Sequence, residues 1–377
     1  MKVAYATGSR ADYGIVRRYL SLLNKRTDLS ILVTGSHLED KYGKTVKIIE
    51  DDGFMINFHA PLNIDNSTNA GVIHSMSVAL DSFGRHFEDN RYDLLIILGD
   101  RYEMMSVAIA AAIQRIPILH LHGGEATFAN YDEFIRHSIT KMSTYHFAST
   151  EVYRKRIIQL GENPERVFNL GALGAENCQI IDLSDSDNQL KELYEKDYFV
   201  VAFHPETLSD SSLVDQVHEL LEAIKSFSDK RFVFVGTNAD TGSDLIRDTW
   251  KSYCNENPDA YYIENMDSNV YLATVKHAIA LIGNSSSGII EAPSLGVCTV
   301  NIGHRQDGRV CGNSVFNAEC KKECIISAMK DAYTFRENNI TINNPYYQPN
   351  TAYNYYCKTL ELLHTPINNV KHFYDVF

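Results

Sequence analysis

The sequence predicts an α/β protein made of two Rossmann-like domains that face a cleft. Two observations carry this prediction. The chain has 377 residues, too many for a single hydrophobic core of ordinary size. Short runs of apolar and β-branched residues also alternate with helix-length segments, in two series separated by a polar stretch. Alternation of this kind is typical of parallel sheets covered by helices.

The first series of predicted strands occupies the first 170 or so residues. Its members are KVAYA, SILVTG, DLLIILGD, IPILHLHG, YHFAST and VFNLG. These runs are apolar on both faces, as buried parallel strands require. Between the first two runs, YGIVRRYLSLLNKR has apolar residues at three-four spacing, which predicts an amphipathic helix. The buried face of this helix should contain Ile15, Val16, Tyr19, Leu20 and Leu23.

The second series consists of YFVVAFHPET, RFVFVGT, AYYIEN, AIALIGNSSSG and CTVNIG. The polar stretch before it, at about 171–197, is interpreted as a hinge and a connecting helix. We therefore predict domains at 1–174 and 175–377, with a C-terminal helix at about 350–364 that packs back across the domain contact. Strand carboxyl ends, and the loops that bind ligands, should line the cleft.

The composition limits the partners of the protein. A formal net charge of -13 argues against nucleic-acid and anionic-membrane binding, which need a basic surface, but is compatible with an anionic small molecule. Seven cysteines without paired spacing indicate free thiols, and Cys311, Cys320 and Cys324 lack the spacing of a zinc site. The N-terminus does not resemble a secretory signal, and no apolar run approaches the ~20 residues that span a bilayer, so we expect a cytoplasmic protein.

Polar motifs follow several predicted strands. In ATGSRADYG, Gly8 and Gly14 do not fit the dinucleotide pattern. A glycine turn that enters a helix nevertheless offers N–H groups to an anion, and Arg10 adds a charge. An ordinary turn with a solvent-facing arginine explains this motif equally well. YGKT at 42–45 does not end an NTPase phosphate-binding loop, because Leu38 occupies the position of its first glycine.

Carboxylates follow two further strands. Asp100 and Arg101 come directly after LLIILG, and Glu125 comes after ILHLHGG. Asp132 follows at the start of the predicted helix DEFIRHSITKM. Two carboxylates that are close together and partly buried acquire separated pKa values, which lets one site hold an acid and a base. The alternatives are that Asp100 and Asp132 cap helices and that Glu125 faces solvent.

Two motifs stand out in the second half of the chain. His204 ends the strand in VVAFHPET, a position suited to a proton carrier or a phosphate donor, although an isolated histidine there is as often structural. In LIGNSSSGIIEAPSLG, serines provide hydroxyls and N–H groups at a helix start, and a glutamate follows one turn later. This combination suits a nucleoside diphosphate, with a simple serine cap as the alternative. Arg305 and Arg309 follow the next strand.

Taken together and in order, the motifs resemble one known family, the hydrolysing UDP-N-acetylglucosamine 2-epimerases of bacterial sialic acid synthesis. The likeness covers about residues 1–310. The non-hydrolysing epimerases, whose first loop contains proline, are more distant. The motifs that carry the resemblance are GSRADYG at 8–14, GDR at 99–101, HGGE at 122–125, DEFIRHSITK at 132–141, HPET at 204–207, GNSSSGIIEAPSLG at 283–296 and NIGHRQDGR at 301–309.

The resemblance implies a GT-B-like fold, with UDP bound by the second domain, and a reaction without metal or cofactor. UDP-GlcNAc would lose its C2 proton and then UDP to give a 2-acetamidoglucal, and water would add at C1 as C2 is reprotonated from the other face. The products would be N-acetylmannosamine and UDP. The catalytic positions are matched by Asp100, Glu125, Asp132 and His204. The UDP-binding positions are matched by Arg10, Gly14, Arg101, Ser285, Ser286, Ser287, Glu291 and Arg305.

Three other functions are kept as alternatives. The same chemistry on UDP-2,4-diacetamido-2,4,6-trideoxyglucose, for legionaminic acid, would differ only in contacts at C4 and C6. A GT-B glycosyltransferase would share the serine motif but does not need the strand-end carboxylates. A sensor would bind a UDP-sugar without turnover.

The chain departs from the family at Phe128, Ala129 and Asn130, where a glycine is frequent, and in NPYYQPN, which lacks the usual glycine after NPY. The family also implies a homodimer or homotetramer.

Overall fold

The computed structural model contains two α/β units. It describes residues 1–128, 130–180, 193, 196–206, 211–237, 242–366 and 370–376. The predicted hinge and connecting helix lie largely outside the described residues. The first unit consists of Met1–Glu125, Asp132–Leu173 and Gln348–Phe377, and the second of Ala126–Tyr131 and Gly174–Tyr347.

The first unit is built on a seven-stranded parallel sheet. Its strands are β1 (Lys2–Thr7), β2 (Asp28–Thr34), β3 (Ile56–Ala60), β4 (Leu94–Leu98), β5 (Ile118–Leu121), β6 (Tyr145–Ala148) and β7 (Val167–Asn169). Their order across the sheet is β3-β2-β1-β4-β5-β6-β7. Every neighbouring pair is parallel.

The second unit is built on a six-stranded parallel sheet. Its strands are β8 (Tyr198–Ala202), β9 (Arg231–Val235), β10 (Ala260–Ile263), β11 (Ala280–Gly283), β12 (Cys298–Ile302) and β13 (Val315–Ala318). Their order is β10-β9-β8-β11-β12-β13, again with parallel pairs throughout.

The described α-helices connect these strands. In chain order they are α1 (Arg10–Leu23), α2 (Val46–Asp51), α3 (Asn69–Asp89), α4 (Tyr102–Ile113), α5 (Asp132–Met142), α6 (Glu151–Gln159), α7 (Leu173–Asn177), α8 (Leu213–Ile224), α9 (Ser243–Glu256), α10 (Ser268–His277), α11 (Ser287–Ile290), α12 (Lys322–Glu337) and α13 (Thr351–His364). Among the described residues, no helix combines the length and the hydropathy needed to cross a membrane.

The predicted fold class, two Rossmann-like parallel sheets covered by helices, is confirmed. In each sheet the strand order reverses at one point, between β1 and β4 in the first and between β8 and β11 in the second. Open α/β sheets bind ligands at such a reversal, just beyond the carboxyl ends of the strands. The residues that follow these four strands are therefore the ones that the fold places in position to bind a ligand.

Two strands were not predicted. β3 (INFHA) alternates between partly buried and exposed residues, and β13 (VFNA) is only partly buried along most of its length. Both lie at sheet edges, where one side of a strand has no neighbour. They lack the continuous apolar run by which the central strands are recognised.

The C-terminal helix α13 packs in the first unit, against α1. Tyr19 of α1 lies 2.7 Å from the Thr359 hydroxyl and makes an edge-to-face contact with the ring of Tyr355. The predicted domain boundaries placed this helix in 175–377, whereas the second unit ends at Tyr347. The reason is that α13 has an apolar face that completes the core around α1. The core residues of that face are Ala352, Tyr355 and Leu362.

Candidate active site

The turn after β1 is fixed by a local hydrogen-bond network. The Ser9 hydroxyl caps α1 by accepting from the N–H of Asp12 at 3.2 Å, and it donates to the Asp12 carboxylate at 2.7 Å. Burial raises the pKa of Asp12 to about 6. Arg10, predicted to bind UDP, is the first residue of α1 and is partly buried, and Gly14 lies within the helix. The fold thus places Arg10 at a strand reversal.

Arg101 is paired with an internal carboxylate. Its Nε donates at 2.6 Å to Oε1 of Glu103, whose side chain is fully buried. Glu103 packs against Gly8 and Gly35, where a Cβ would collide with the carboxylate or meet it closely. A side chain at position 8 would therefore displace the Glu103 carboxylate. Arg101, another predicted UDP ligand, is oriented by a residue that the sequence analysis did not identify.

A buried guanidinium joins two carboxylates of the first unit to the backbone of Glu125. Arg136 of α5 is 1% exposed, and its Nη2 pairs with Asp100 just after β4. Its Nη1 donates at 3.0 Å to the Glu133 carboxylate and at 3.0 Å to the backbone carbonyl of Glu125. Asp132 is the first residue of α5, one helical turn before Arg136. We call Asp100, Glu125, Glu133 and Arg136 the Arg136 cluster.

The side chain of Glu125 is almost fully buried, so the alternative in which it faces solvent is excluded. The hydroxyl of Ser149, just after β6, donates to its Oε1 at 2.7 Å, and His122 Nδ1 lies 3.6 Å from the same oxygen. Arg156 of α6 fixes the loop by donating at 2.7 Å to the carbonyl of Gly124. Glu125 is thus a carboxylate held in a dry, hydrogen-bonded setting.

In the second unit, an asparagine connects the residues that follow β8 and β11. The side chain of Asn284 accepts from the backbone N–H of His204 at 2.7 Å and donates to the His204 carbonyl at 2.8 Å. The backbone carbonyl of Asn284 accepts from Arg305 Nη1 at 3.1 Å and from Gln306 Nε2 at 2.7 Å. His204 and Arg305, two predicted site residues, are therefore attached to one residue at the strand reversal.

The serine motif follows β11 as predicted. Ser286 precedes α11, which has only four residues, and the N–H of Ser287 donates to the Ser285 hydroxyl at 3.3 Å. Tyr271 donates to the Ser287 hydroxyl at 2.9 Å. Glu291 directly follows α11, is largely buried, and packs against Gly174, where a Cβ would collide with its carboxylate.

A second carboxylate shapes the loop that carries Arg305. Oε1 of Glu206 accepts from the backbone N–H groups of His304 at 2.7 Å and Arg305 at 3.0 Å. Two bonds to adjacent N–H groups fix the start of this loop. Hydroxyls, N–H groups and a restrained arginine thus lie at the carboxyl ends of the strands of the second sheet. Such a set is suited to a phosphate ligand.

Known proteins with similar sequences identify the family. Residues 22–357 match the family model described as UDP-N-acetylglucosamine 2-epimerase. The chain belongs to the UDP-N-acetylglucosamine 2-epimerase family. The predicted membership of the UDP-N-acetylglucosamine 2-epimerase family is thereby confirmed.

Two curated relatives of the epimerase family cover most of the chain. The chain is 48% identical to polysialic acid biosynthesis protein P7 of Escherichia coli, over 100% of this chain and 97% of that protein. It is 37% identical to GDP/UDP-N,N'-diacetylbacillosamine 2-epimerase (hydrolyzing) of Campylobacter jejuni, over 84% of each chain.

Solved structures of the epimerase family share the fold. The crystal structure of Methanocaldococcus jannaschii UDP-GlcNAc 2-epimerase in complex with UDP-GlcNAc and UDP superimposes with a TM-score of 0.80 at 19% identity. The match covers 97% of this chain and 100% of that one. The predicted GT-B-like fold is confirmed.

Several supporting residues of this epimerase-family chain were missed by sequence reasoning. Besides Glu103, four of the missed residues are Arg136, Ser149, Glu206 and Asn284. Each lies within a motif that was singled out or at the end of a predicted strand, so position alone was an available signal.

Of the quoted motif residues, Ala129 and Thr207 lie outside the described residues. Phe128 belongs to the second unit, where its N–H donates to the Asp307 carbonyl at 3.4 Å.

Proposed function

We propose that the protein is a hydrolysing UDP-N-acetylglucosamine 2-epimerase that converts UDP-GlcNAc and water to N-acetylmannosamine and UDP for sialic acid synthesis. The observation that carries this proposal is the Arg136 cluster. Epimerisation at C2 requires groups that remove and return a proton, and such groups work best where water is excluded and their positions are fixed. The full-length likeness to a polysialic acid biosynthesis protein supports the pathway.

In the proposed reaction a carboxylate removes the C2 proton, the C–H electron pair forms the C1–C2 double bond, and UDP leaves with the electrons of the C1–O bond. Water then adds its oxygen to C1 and gives up a proton, while C2 accepts a proton on the opposite face. We assign proton transfer to Glu125 and Asp132. Asp100, fixed by Arg136, directs the reacting groups.

The second unit is assigned to the nucleotide. Arg305 and the N–H groups and hydroxyls after β11 bind the diphosphate, and the Glu291 carboxylate accepts from ribose hydroxyls. His204 serves as a proton donor or phosphate ligand as UDP departs. From the first unit, Arg10, Gly14 and Arg101 are assigned to UDP, as the resemblance implies.

A second substrate has its own support. A relative 37% identical to this chain is a hydrolyzing 2-epimerase of diacetylbacillosamine nucleotides. UDP-2,4-diacetamido-2,4,6-trideoxyglucose differs from UDP-GlcNAc at C4 and C6, away from the bonds that change. The same acid–base groups serve either sugar, so the two substrates must be separated by kinetics.

The test is a proton NMR time course of the purified protein with UDP-GlcNAc in deuterated water, without added metal. N-acetylmannosamine and UDP should appear together, with deuterium at C2. UDP-N-acetylmannosamine as the product would indicate a non-hydrolysing epimerase and overturn the proposal. The matched variants are Glu125→Gln and Glu162→Gln, since Glu162 is also a buried glutamate of the first unit but lies outside the Arg136 cluster.

Two further arms refine the result. In ¹⁸O-labelled water the released UDP should contain no label, because the C1–O bond breaks and the bond to phosphorus does not. Label in UDP would exclude the elimination route. The diacetamido sugar is assayed in parallel, and the higher kcat/KM identifies the preferred substrate. Tight UDP binding without turnover of either sugar would favour the sensor or the glycosyltransferase.

A further inference from the structure

We infer that Asn284 is a positioning residue that fixes His204 through its side chain and Arg305 through its backbone. It lies at the strand reversal of the second sheet, directly after β11, and is fully buried. The inference rests on the proposed function, with His204 as the proton donor rather than a phosphate ligand and with Arg305 as a ligand of the nucleotide. It assigns to Asn284 a role that its sequence motif does not reveal, since the neighbouring serines carry the phosphate-binding pattern.

The side-chain half of the arrangement requires an amide. The N–H of His204 needs an acceptor and its carbonyl needs a donor, and Asn284 supplies both, at 2.7 Å and 2.8 Å. This pairing also fixes which end of the amide is oxygen. Aspartate would retain an acceptor but would place a second oxygen against the carbonyl of His204. Alanine would supply neither partner, and burial of the residue keeps water from replacing them.

The backbone half is independent of the side chain. The carbonyl of Asn284 accepts from Arg305 and Gln306, and its N–H donates to the Ala202 carbonyl at 3.1 Å. Adjacent Gly283 has a φ of 136°, and a Cβ there would collide with the same carbonyl, so the chain approaches β8 closely at this point. Any residue at position 284 retains these backbone bonds as long as the strand end keeps its path.

Substitution of Asn284 should therefore change kcat, which depends on its side chain, more than UDP affinity, which depends on its backbone. Asn284→Ala should lower kcat about 10- to 100-fold, because His204 loses two buried hydrogen bonds and shifts from its reactive position. The Kd for UDP, measured by calorimetry, should stay within about 3-fold of wild type, because Arg305 keeps its acceptor. Asn284→Asp should lower kcat at least as much.

The matched control is Asn257→Ala. Asn257 belongs to the same unit and its amide also donates to a backbone carbonyl, that of Tyr253, at 2.7 Å. It lies between α9 and β10, at the amino ends of the strands, and takes no part in the proposed chemistry. The control variant should keep wild-type kcat and UDP affinity.

A spectroscopic measurement tests the positioning without turnover. The protein is labelled with ¹³C-histidine, and the His204 ring signal is assigned as the one that disappears in His204→Gln. Asn284→Ala should shift that signal, and Asn257→Ala should leave it in place. If the wild-type protein has no epimerase activity but Asn284→Ala still shifts the His204 signal, the proposed function is rejected and the structural inference is retained.

Three results would overturn the inference. The first is an unchanged kcat and an unshifted His204 signal in Asn284→Ala. The second is an equal loss of kcat in Asn257→Ala, which would indicate a general weakening of the unit. The third is a loss of UDP affinity in Asn284→Ala as large as its loss of kcat, because the backbone bonds to Arg305 would then depend on the side chain.

Discussion

The two units hold their candidate site residues by different means. In the first, charged side chains restrain one another, as Arg136 does with Asp100 and Glu133. In the second, the neutral amide of Asn284 restrains the backbone of His204. A buried ion pair leaves an uncompensated charge when one partner is removed, whereas a lost neutral hydrogen bond leaves only an unsatisfied dipole. The first unit should therefore be more sensitive to single substitutions that change charge.

The difference also matches the roles proposed for the units. Carboxylates in a fixed ionic setting are suited to proton transfer, and hydroxyls and N–H groups are suited to phosphate oxygens. Substitutions in the first unit should then alter kcat, and those in the serine motif of the second should alter nucleotide affinity. Four predictions test this contrast.

The largest effect is expected for the proton-transfer carboxylates. Glu125→Gln and Asp132→Asn should each lower kcat about 10³-fold or more, because neither amide can accept the C2 proton, while UDP affinity persists. Glu291→Ala should show the opposite pattern, with weaker UDP binding and a smaller change in kcat. Steady-state kinetics and calorimetry measure both quantities. Unchanged turnover in both carboxylate variants would exclude the proposed mechanism.

Removing the central guanidinium should affect both activity and stability. Arg136→Met leaves the partly buried carboxylates of Asp100 and Glu133 without their cation, and we expect a loss of about 1–3 kcal/mol in the free energy of unfolding. Urea denaturation measures this loss, and Arg136→Lys should recover part of it. The control is Arg154→Met, because Arg154 pairs with a half-exposed glutamate. Equal losses in the two methionine variants would contradict the contrast between buried and exposed pairs.

A third prediction concerns pH and Glu162 of the first unit. Burial raises the pKa of Glu162, but hydrogen bonds and charge from His146, Lys141 and Lys371 outweigh it and hold the pKa at about 2. A lowered pKa stabilises the fold above the ordinary value of 4.5, and this contribution disappears as the pH falls from 4.5 towards 2.

The corresponding measurement compares wild type with Glu162→Gln by urea denaturation across that interval. The variant should be less stable at pH 7 by about 1–3 kcal/mol and should lose less stability on acidification. Parallel stability curves for the two proteins, separated by a constant offset, would show that ionisation of Glu162 is not linked to folding.

The smallest effect is expected for Ser149. Ser149→Ala removes one hydroxyl donor from Glu125, worth about 1 kcal/mol, so kcat should fall about 5-fold with little change in UDP affinity. Ser143→Ala is the control, because this buried hydroxyl donates instead to the Ile139 carbonyl. A kcat for Ser149→Ala equal to that of the control would remove Ser149 from the support of Glu125.

The sequence predicted those features that a local pattern encodes. Continuous apolar runs located β1 and β4, and polar residues directly after strands located Asp100 and His204. Edge strands β3 and β13 escaped because their exposed faces are polar. The role of Asn284 in supporting His204 was also missed, because 80 positions separate the two residues in the sequence and only sheet pairing brings them together.

The packing of α13 in the first unit has a consequence for synthesis. The main segment of the second unit, Gly174–Tyr347, is synthesised before α13, although most of the first unit was made earlier. Domains generally fold as their segments emerge, so the second unit can begin to fold while the first still exposes the apolar surface that Tyr355 and Leu362 cover. A nascent chain would thus complete the unit with the carboxylates last, and translation that stops near residue 347 would release a chain whose N-terminal half is a target for chaperones and proteases.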